Sequence, residues 1–300
     1  MIQSTPAPTE ILKGLSQIAS RYDVLLCDIW GVVHDGEAHH RRAVAALQAF
    51  RAKGGVVVLI TNAPRPRQPI IDQLDEFKVP RDAYDAIVTS GDVTVGLIEE
   101  RGTAPLYHIG PERDLALFDE VREATGLTPT LAALESAEFV VCTGLYDDET
   151  ETPHDYAGSL QKMRDRNLPF ICANPDIVVH RGTTLLYCAG ALAQAYTQLG
   201  GEAIYAGKPY PPIYARALSL AAQSSRAPID KSRVLAIGDA LATDMAGAAH
   251  LGVDALLITG GIHRHILHPD EGEAVQLHVL AQFIADKPGD PTYVMRELAW

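Results

Sequence analysis

Long apolar runs are missing from this 300-residue chain, and so is the basic-then-apolar opening of a secretory signal. Neither a membrane span nor an export leader is therefore expected. Cysteine is scarce. The four present, Cys27, Cys142, Cys172 and Cys188, show no CxxC spacing. That argues against a disulfide framework or a zinc site, and for buried thiols in a reducing compartment, the cytoplasm by default. Basic charge is also short: 25 Lys and Arg against 38 Asp and Glu leave a formal net charge of −13. Nucleic acid, which needs a basic face, is excluded as the expected partner. No internal repeat is visible. What remains, 47% apolar residues and a mean hydropathy of +0.02, describes an ordinary globular protein. Its length suits one large domain or a core carrying an inserted module.

The first informative stretch is LLCDIWGVVHDG, residues 25–36. An apolar run ending on a carboxylate and a glycine turn is how a buried parallel strand delivers a reactive group to its carboxyl edge, where open α/β sheets bind ligands. Before it, Thr9 can N-cap a helix with Ile11, Leu12, Leu15 and Ile18 on one face. After it, Val44, Leu47 and Phe50 recur at helical spacing up to Gly54-Gly55. A β-branched strand, 56–60, then ends on Thr61-Asn62, followed by a helix through Ile70, Leu74 and Phe77 and a strand at 86–90. This alternation predicts a right-handed parallel α/β sheet.

From about 102 to 201 the texture changes to short strands (106–109, 139–143, 170–173) among polar helices and loops. The acidic run 147–151 reads as a solvated loop, as does ANPDIVVHRGTT. The first pattern returns at Ile204, with Lys208-Pro209 and a helix carrying Ile213, Ala217 and Leu220. A strand at 233–237 ends on Gly238-Asp239, with Asp244 five residues on, and the last clear strand is 255–258. The expected organisation is a core of residues 1–101 and 204–300 with a second α/β module, 102–203, inserted into it. His263, His265 and His268 fall in HRHILH, whose irregular spacing reads as polar surface rather than a metal site. Leu277, Leu280 and Phe283 suggest a closing helix.

Four strand ends carry Asp28, Thr61-Asn62, Lys208 and Asp239 with Asp244. If the strands are parallel, all four ends meet at one edge of one sheet. Singly each has a bland reading: a turn, a surface lysine, a helix cap. Together they form a phosphoryl-transfer set. A carboxylate attacks phosphorus and forms an aspartyl phosphate. A hydroxyl and a lysine take the phosphoryl oxygens, and two further carboxylates suit Mg²⁺, a hard ion that prefers oxygen.

The order Asp, Thr, Lys, Asp-Asp runs through CDIWGVVHDG, LITNAPRP, TSGDVT, ANPD, GALAQAYTQLGG, YAGKPYPPIY and IGDALATDMAGA. It resembles the haloacid dehalogenase (HAD) superfamily of phosphohydrolases, and within it the class IIA, NagD-like or p-nitrophenyl phosphatase-like branch. The resemblance spans about 24 to 260 and implies a Rossmann-like parallel-sheet core with an inserted C2-type α/β cap. It implies Asp28 as nucleophile, and Thr61, Asn62 and Lys208 at the phosphate. Mg²⁺ would sit among Asp28, the Trp30 carbonyl, Asp239 and Asp244. The cap loop around Asp176 would face the substrate, although Asp176 reads equally well as a turn residue. Receiver domains share these residue types but place an acidic pair before their phosphorylated Asp; none precedes Asp28.

The pattern breaks at one place. The family motif is Asp-x-Asp-Gly, and its second Asp protonates the leaving oxygen and later activates water; here that position is Trp30. An indole N–H cannot exchange a proton with a leaving group near neutral pH. The Trp30 carbonyl survives, so metal binding and attack by Asp28 remain feasible. General acid–base help is worth about 10²–10⁴-fold, or roughly 3–5 kcal/mol, and acyl or aryl phosphates would miss it least. His34 and Asp35 are neighbouring candidates to stand in, with no role settled by the sequence. Trp30 can alternatively form an apolar wall against a substrate ring. The expected activity is a Mg²⁺-dependent phosphatase for a small phosphorylated metabolite such as a sugar or nucleotide phosphate. The rival is a HAD-derived binding or regulatory protein that holds a phosphate ligand without turnover. The intact nucleophile and metal set favour the enzyme, and Trp30 favours the rival. The substrate and the oligomeric state, a homodimer among the options, are left open.

Overall fold

The structure, a computed structural model, describes residues 9–181, 184–225, 227–268, 275, 277–285, 287 and 289–300; Gly182 and Thr183 of the ANPDIVVHRGTT loop lie outside them. The strands, in chain order, are β1 (Glu10–Ile11), β2 (Val24–Asp28), β3 (Val56–Thr61), β4 (Ala86–Thr89), β5 (Leu106–Ile109), β6 (Phe139–Cys142) and β7 (Phe170–Cys172). They continue with β8 (Val178–Arg181), β9 (Thr184–Tyr187), β10 (Ala203–Tyr205), β11 (Val234–Gly238), β12 (Asp254–Ile258) and β13 (Tyr293–Met295). The chain divides into two compact units. One is Met1–Ile60 with Leu74–Ile87 and Tyr214–Trp300; the other is Thr61–Gln73 with Val88–Ile213.

The first unit is organised on a sheet of order β1-β13-β12-β11-β2-β3-β4, with β11, β2 and β3 pairing parallel at its centre. β2 and β11 are buried at every position, as the unbroken apolar runs of a parallel sheet require. From β2 the chain steps outward through β3 and β4, then returns at β11 and steps the other way through β12 and β13. Such a reversal opens a crevice at the carboxyl ends of the central strands. The register sets Cys27 beside Ile237 and Asp28 beside Ile60, so Asp28 and Asp239 leave the sheet at the same edge. Between β2 and β3 the helix Arg41–Ala52 buries Val44, Leu47 and Phe50, the helical spacing of the sequence.

The N-terminal stretch departs from the helix expected of it. Ile11 pairs with Val294 in a two-residue strand, and only 3₁₀ turns follow, at Leu15–Gln17 and Ala19–Arg21. Leu12, Leu15 and Ile18 are nevertheless buried. Their spacing reports a buried face, while β13, far along the chain, claims the backbone.

The second unit contains a parallel sheet of order β10-β7-β6-β5 and the antiparallel hairpin β8-β9. Its core stacks Phe170 on Tyr196 at 5.2 Å between ring centres. β10 pairs with β7, Ala203 beside Phe170. Lys208 therefore follows a strand of this smaller sheet and is not a fourth strand end of the larger one. Half-buried and three residues long, β10 is too short an apolar run to be assigned to either sheet. No helix among the described residues is long and apolar enough to cross a membrane.

One histidine of this unit is expected to make stability pH-dependent. The His108 ring meets Phe118 edge-on at 5.1 Å, with Nε2 3.0 Å from Thr143 Oγ1, and burial pulls its pKa down to about 4. The unfolded imidazole, near 6.5, protonates first as pH falls. The contribution is thus complete above about pH 6.5 and is lost as pH drops towards 4. His108→Gln, which keeps a polar reach to Thr143, should lose about 2–3 kcal/mol less than the parent between pH 7 and 4.5 in denaturant titrations. Equal losses would show that this ring is already charged when folded.

Candidate active site

β2 carries Asp28 and β11 carries Gly238-Asp239 to one edge, and the π-type turn Leu241–Met245 brings Asp244 back beside them. One carboxylate oxygen from each of the three lies within 4.8 Å of the others, although the residues are only 8, 4 and 3% exposed. Each carboxylate is held by an amide. Asp28 Oδ1 accepts from Ile29 N–H at 2.8 Å, Asp239 Oδ2 from Ile262 N–H at 2.8 Å, and Asp244 Oδ2 from Ala240 N–H at 3.1 Å. Bare backbone closes on Asp239 from two sides: a Cβ at Gly31 (φ +77°) or at Gly261 would collide with its carboxylate. Like charges at such spacing repel by about 3–4 kcal/mol per pair at an effective dielectric near 20. An all-oxygen acidic set of this kind fits a hard divalent cation such as Mg²⁺.

After Asp28 the chain closes into a tight loop. Gly31 N–H donates to His34 O at 2.8 Å, Val33 N–H to Ile29 O at 2.8 Å, and His40 N–H to Val33 O at 2.7 Å. Trp30 stands out of this loop, 39% exposed. The far end of its six-membered ring lies over Gly36 (φ +92°), where a Cβ would collide with it. His34 meets the indole edge-on at 5.1 Å and Phe77 at 4.9 Å. Its Nδ1 accepts the Gly36 amide at 3.1 Å, and burial holds its pKa down to about 4. Burial pushes the Asp35 carboxyl up, but the Ala38 and Glu37 amides, at 2.9 and 3.0 Å, more than reverse this and lower its pKa. Both side chains are used in building the loop.

Four expected site residues belong to the second unit. Thr61 ends β3, its Oγ1 accepting the Ala63 amide at 3.2 Å. Asn62 and Lys208 are buried. Asn62 Oδ1 accepts from Lys208 N–H at 2.7 Å, while its Nδ2 donates to Lys208 O at 3.2 Å and to Asp176 Oδ1 at 2.9 Å. The Asn62 amide thus holds the main chain of Lys208 and the loop of Asp176, both N–H bonds committed.

Sequence reasoning missed the support of Asp239. The Ile262 amide comes from 23 residues away and leaves no trace in side-chain identity. Two of the histidines that follow it, His263 and His268, pack into the fold. His268, 5% exposed, sets Nε2 2.8 Å from Thr259 Oγ1 and so closes the loop that presents Ile262. His263 packs edge-on to Phe283 at 4.8 Å. Among the described residues, Asp28, Asp239 and Asp244 are the group with metal-ligand spacing.

A parallel α/β core with an acidic cluster at its central crevice, and a second α/β module in the same chain, defines a class of hydrolase. The family model of the haloacid dehalogenase-like hydrolases matches residues 25–123, and a second, HAD-hydrolase-like model matches 205–298. A haloacid dehalogenase-like hydrolase from Brucella suis is 46% identical in its crystal structure, covering 97% of this chain and 100% of that one at a TM-score of 0.81. The 5′-nucleotidase YutF of Bacillus subtilis is 26% identical over 84% of this chain and 93% of its own length. An acid sugar phosphatase of Staphylococcus aureus is 24% identical over 81% and 88%. The chain belongs to the haloacid dehalogenase-like hydrolases.

Proposed function

We propose that this hydrolase is a Mg²⁺-dependent phosphatase of small phosphorylated metabolites, sugar or nucleotide phosphates in the first instance, working through an aspartyl phosphate at Asp28. The carrying observation is the carboxylate at the end of a central strand, grouped within 4.8 Å with two others. Relatives named as a 5′-nucleotidase and an acid sugar phosphatase support the same reading. Asp28, Asp239 and Asp244, with the Trp30 carbonyl, would hold the cation, which supplies charge neutralisation where an anionic nucleophile meets an anionic substrate.

Asp28 attacks phosphorus, and the bond from phosphorus to the leaving oxygen breaks with its electron pair on that oxygen. Water then attacks the aspartyl phosphate, releasing phosphate and restoring the carboxylate. The Thr61 hydroxyl and the Lys208 ammonium take the phosphoryl oxygens, and Asn62 positions Lys208 through its main chain. The Asp176 loop selects the group beyond the phosphate, as part of a cap that excludes water. We place that cap from residue 102 and, because β10 belongs to its sheet, carry its end from 203 to Tyr205.

A phosphate-release screen over a metabolite panel, with Mg²⁺ and with chelator, tests the assignment. Mg²⁺-dependent release from at least one monoester is expected. Binding of panel members without release would move the chain to the rival reading, a phosphate-ligand protein without turnover, which Trp30 favours. The metal assignment has its own check. Asp239→Asn should weaken Mg²⁺ binding by more than about 100-fold in calorimetry. Unchanged Mg²⁺ affinity would remove the cation from this cluster.

A further inference from the structure

We propose that Ser90 is a positioning residue of the phosphate site: its buried hydroxyl donates to Asn62 Oδ1 when phosphate binds, and so tightens the hold on Lys208. The inference rests on the phosphatase reading above and deepens it. Among the described residues, Ser90 Oγ alone of the buried side-chain oxygens and nitrogens lacks a hydrogen-bond partner, in a residue 0% exposed. Leaving a buried hydroxyl unpaired costs stability, and such an orphan calls for a partner. Placement supplies one. A Cβ on Gly207 would collide with both Asn62 Oδ1 and Ser90 Oγ, so the two oxygens face the same small space beside that bare α-carbon. Asn62 Oδ1 accepts from Lys208 N–H at 2.7 Å, and its second lone pair can take the Ser90 proton.

The backbone around Ser90 is firmly held. Ser90 opens the helix Ser90–Glu99, whose N-cap Thr89 exchanges bonds with Asp92 at 2.9 and 3.1 Å. The next residue, Gly91, donates to Ala63 O at 3.1 Å, and a Cβ there would collide with the carbonyls of Pro64 and Arg65. Ser90 thus sits where the segment carrying Thr61 meets the segment carrying Lys208. Those two side chains are the ones read as taking the phosphoryl oxygens. Phosphate bound by both draws their segments together, and a small approach of Asn62 to Ser90 turns an unpaired hydroxyl into a bonded one. The cost of the orphan is recovered only in the loaded protein, so Ser90 adds to phosphate affinity and not to the stability of the free fold.

Ser90→Ala separates this role from a structural one. In calorimetry with Mg²⁺ present, inorganic phosphate should bind the variant about tenfold more weakly than the parent, about 1.4 kcal/mol. Mg²⁺ affinity should be unchanged, and the thermal midpoint without phosphate should be no lower than that of the parent. A serine that serves only the fold gives the reverse, a lowered midpoint with phosphate affinity intact. Unchanged phosphate affinity, whatever the midpoint, would overturn the inference and leave the phosphatase reading standing. So would a Ser90→Ala protein that does not fold, because an orphaned hydroxyl contributes nothing to the free fold. The route through Asn62 is checked in the Asn62→Ala background, where Ser90→Ala should cost less than about twofold in phosphate affinity. A full tenfold cost there would also overturn the inference, since Ser90 would then act without Asn62. If Asn62→Ala does not fold, the comparison of parent and Ser90→Ala decides. Failure of the parent to bind inorganic phosphate would overturn the phosphatase reading itself, and this inference with it.

Discussion

Trp30→Asp is expected to increase turnover of alkyl phosphates, with a ceiling of about 10²–10⁴-fold, the usual worth of general acid–base catalysis. The substitution returns a proton carrier two residues after Asp28, where the leaving oxygen departs. Two costs hold the gain below that ceiling. The indole fills space over Gly36 and beside His34, and its removal leaves a gap that the loop must absorb. A fourth carboxylate also joins three that are already crowded, so the variant should require more Mg²⁺ before it gains anything. Steady-state rates on an alkyl phosphate and on p-nitrophenyl phosphate separate the outcomes, since the second leaves unaided and should gain least in the first step. A folded Trp30→Asp protein no faster on any substrate would mean a site rebuilt around the indole, and the binding-protein reading would move ahead.

Asp28→Asn should reduce phosphatase activity by about 10⁴-fold or more, the scale seen when a covalent nucleophile is removed. The loss is expected without unfolding. The amide keeps the oxygen that accepts the Ile29 N–H. Its thermal midpoint should therefore stay near that of the parent, while the carboxamide is too weak a nucleophile to open the ester. The double variant with Trp30→Asp should be equally inactive, because an acid without a nucleophile has nothing to assist. Residual activity above about one per cent in Asp28→Asn, with contaminating phosphatase excluded, would rule out the aspartyl phosphate.

Much of this arrangement is legible in the sequence, for identifiable reasons. β2, β3 and β11 are unbroken apolar runs buried on both faces, and such runs announce central parallel strands whatever surrounds them. Asp28 and Asp239 are legible because each closes such a run. The break at Trp30 is visible only against the motif of a family. Other elements stay hidden where partners are distant or backbone does the work. The apolar spacing of Leu12, Leu15 and Ile18 suggests a helix, but pairing with β13 decides the conformation nearby. The hairpin β8-β9 lies in a stretch that reads as loop, because its alternation is short and its pairing supplies the structure. Lys208 is found by motif and misplaced by sheet, since β10 is too short to declare its neighbours. The amide of Ile262 and the pair of hydrogen bonds between the Asn62 side chain and the Lys208 main chain have no signature that spacing could expose.

The central claim is an intact carboxylate nucleophile working without its usual acid, and the dependence of rate on leaving-group basicity tests it most directly. A series running from nitrophenyl through phenyl to alkyl phosphates, with kcat/KM measured at saturating Mg²⁺ for the parent and for Trp30→Asp, supplies it. In the parent, rates should fall steeply as the leaving group becomes more basic, because the departing oxygen carries its full charge unaided. In Trp30→Asp the slope should flatten, with the two lines closest at nitrophenyl and furthest apart at the alkyl end. A parent slope already as shallow as that of the variant would show that a proton is being supplied from elsewhere, and would contradict the account.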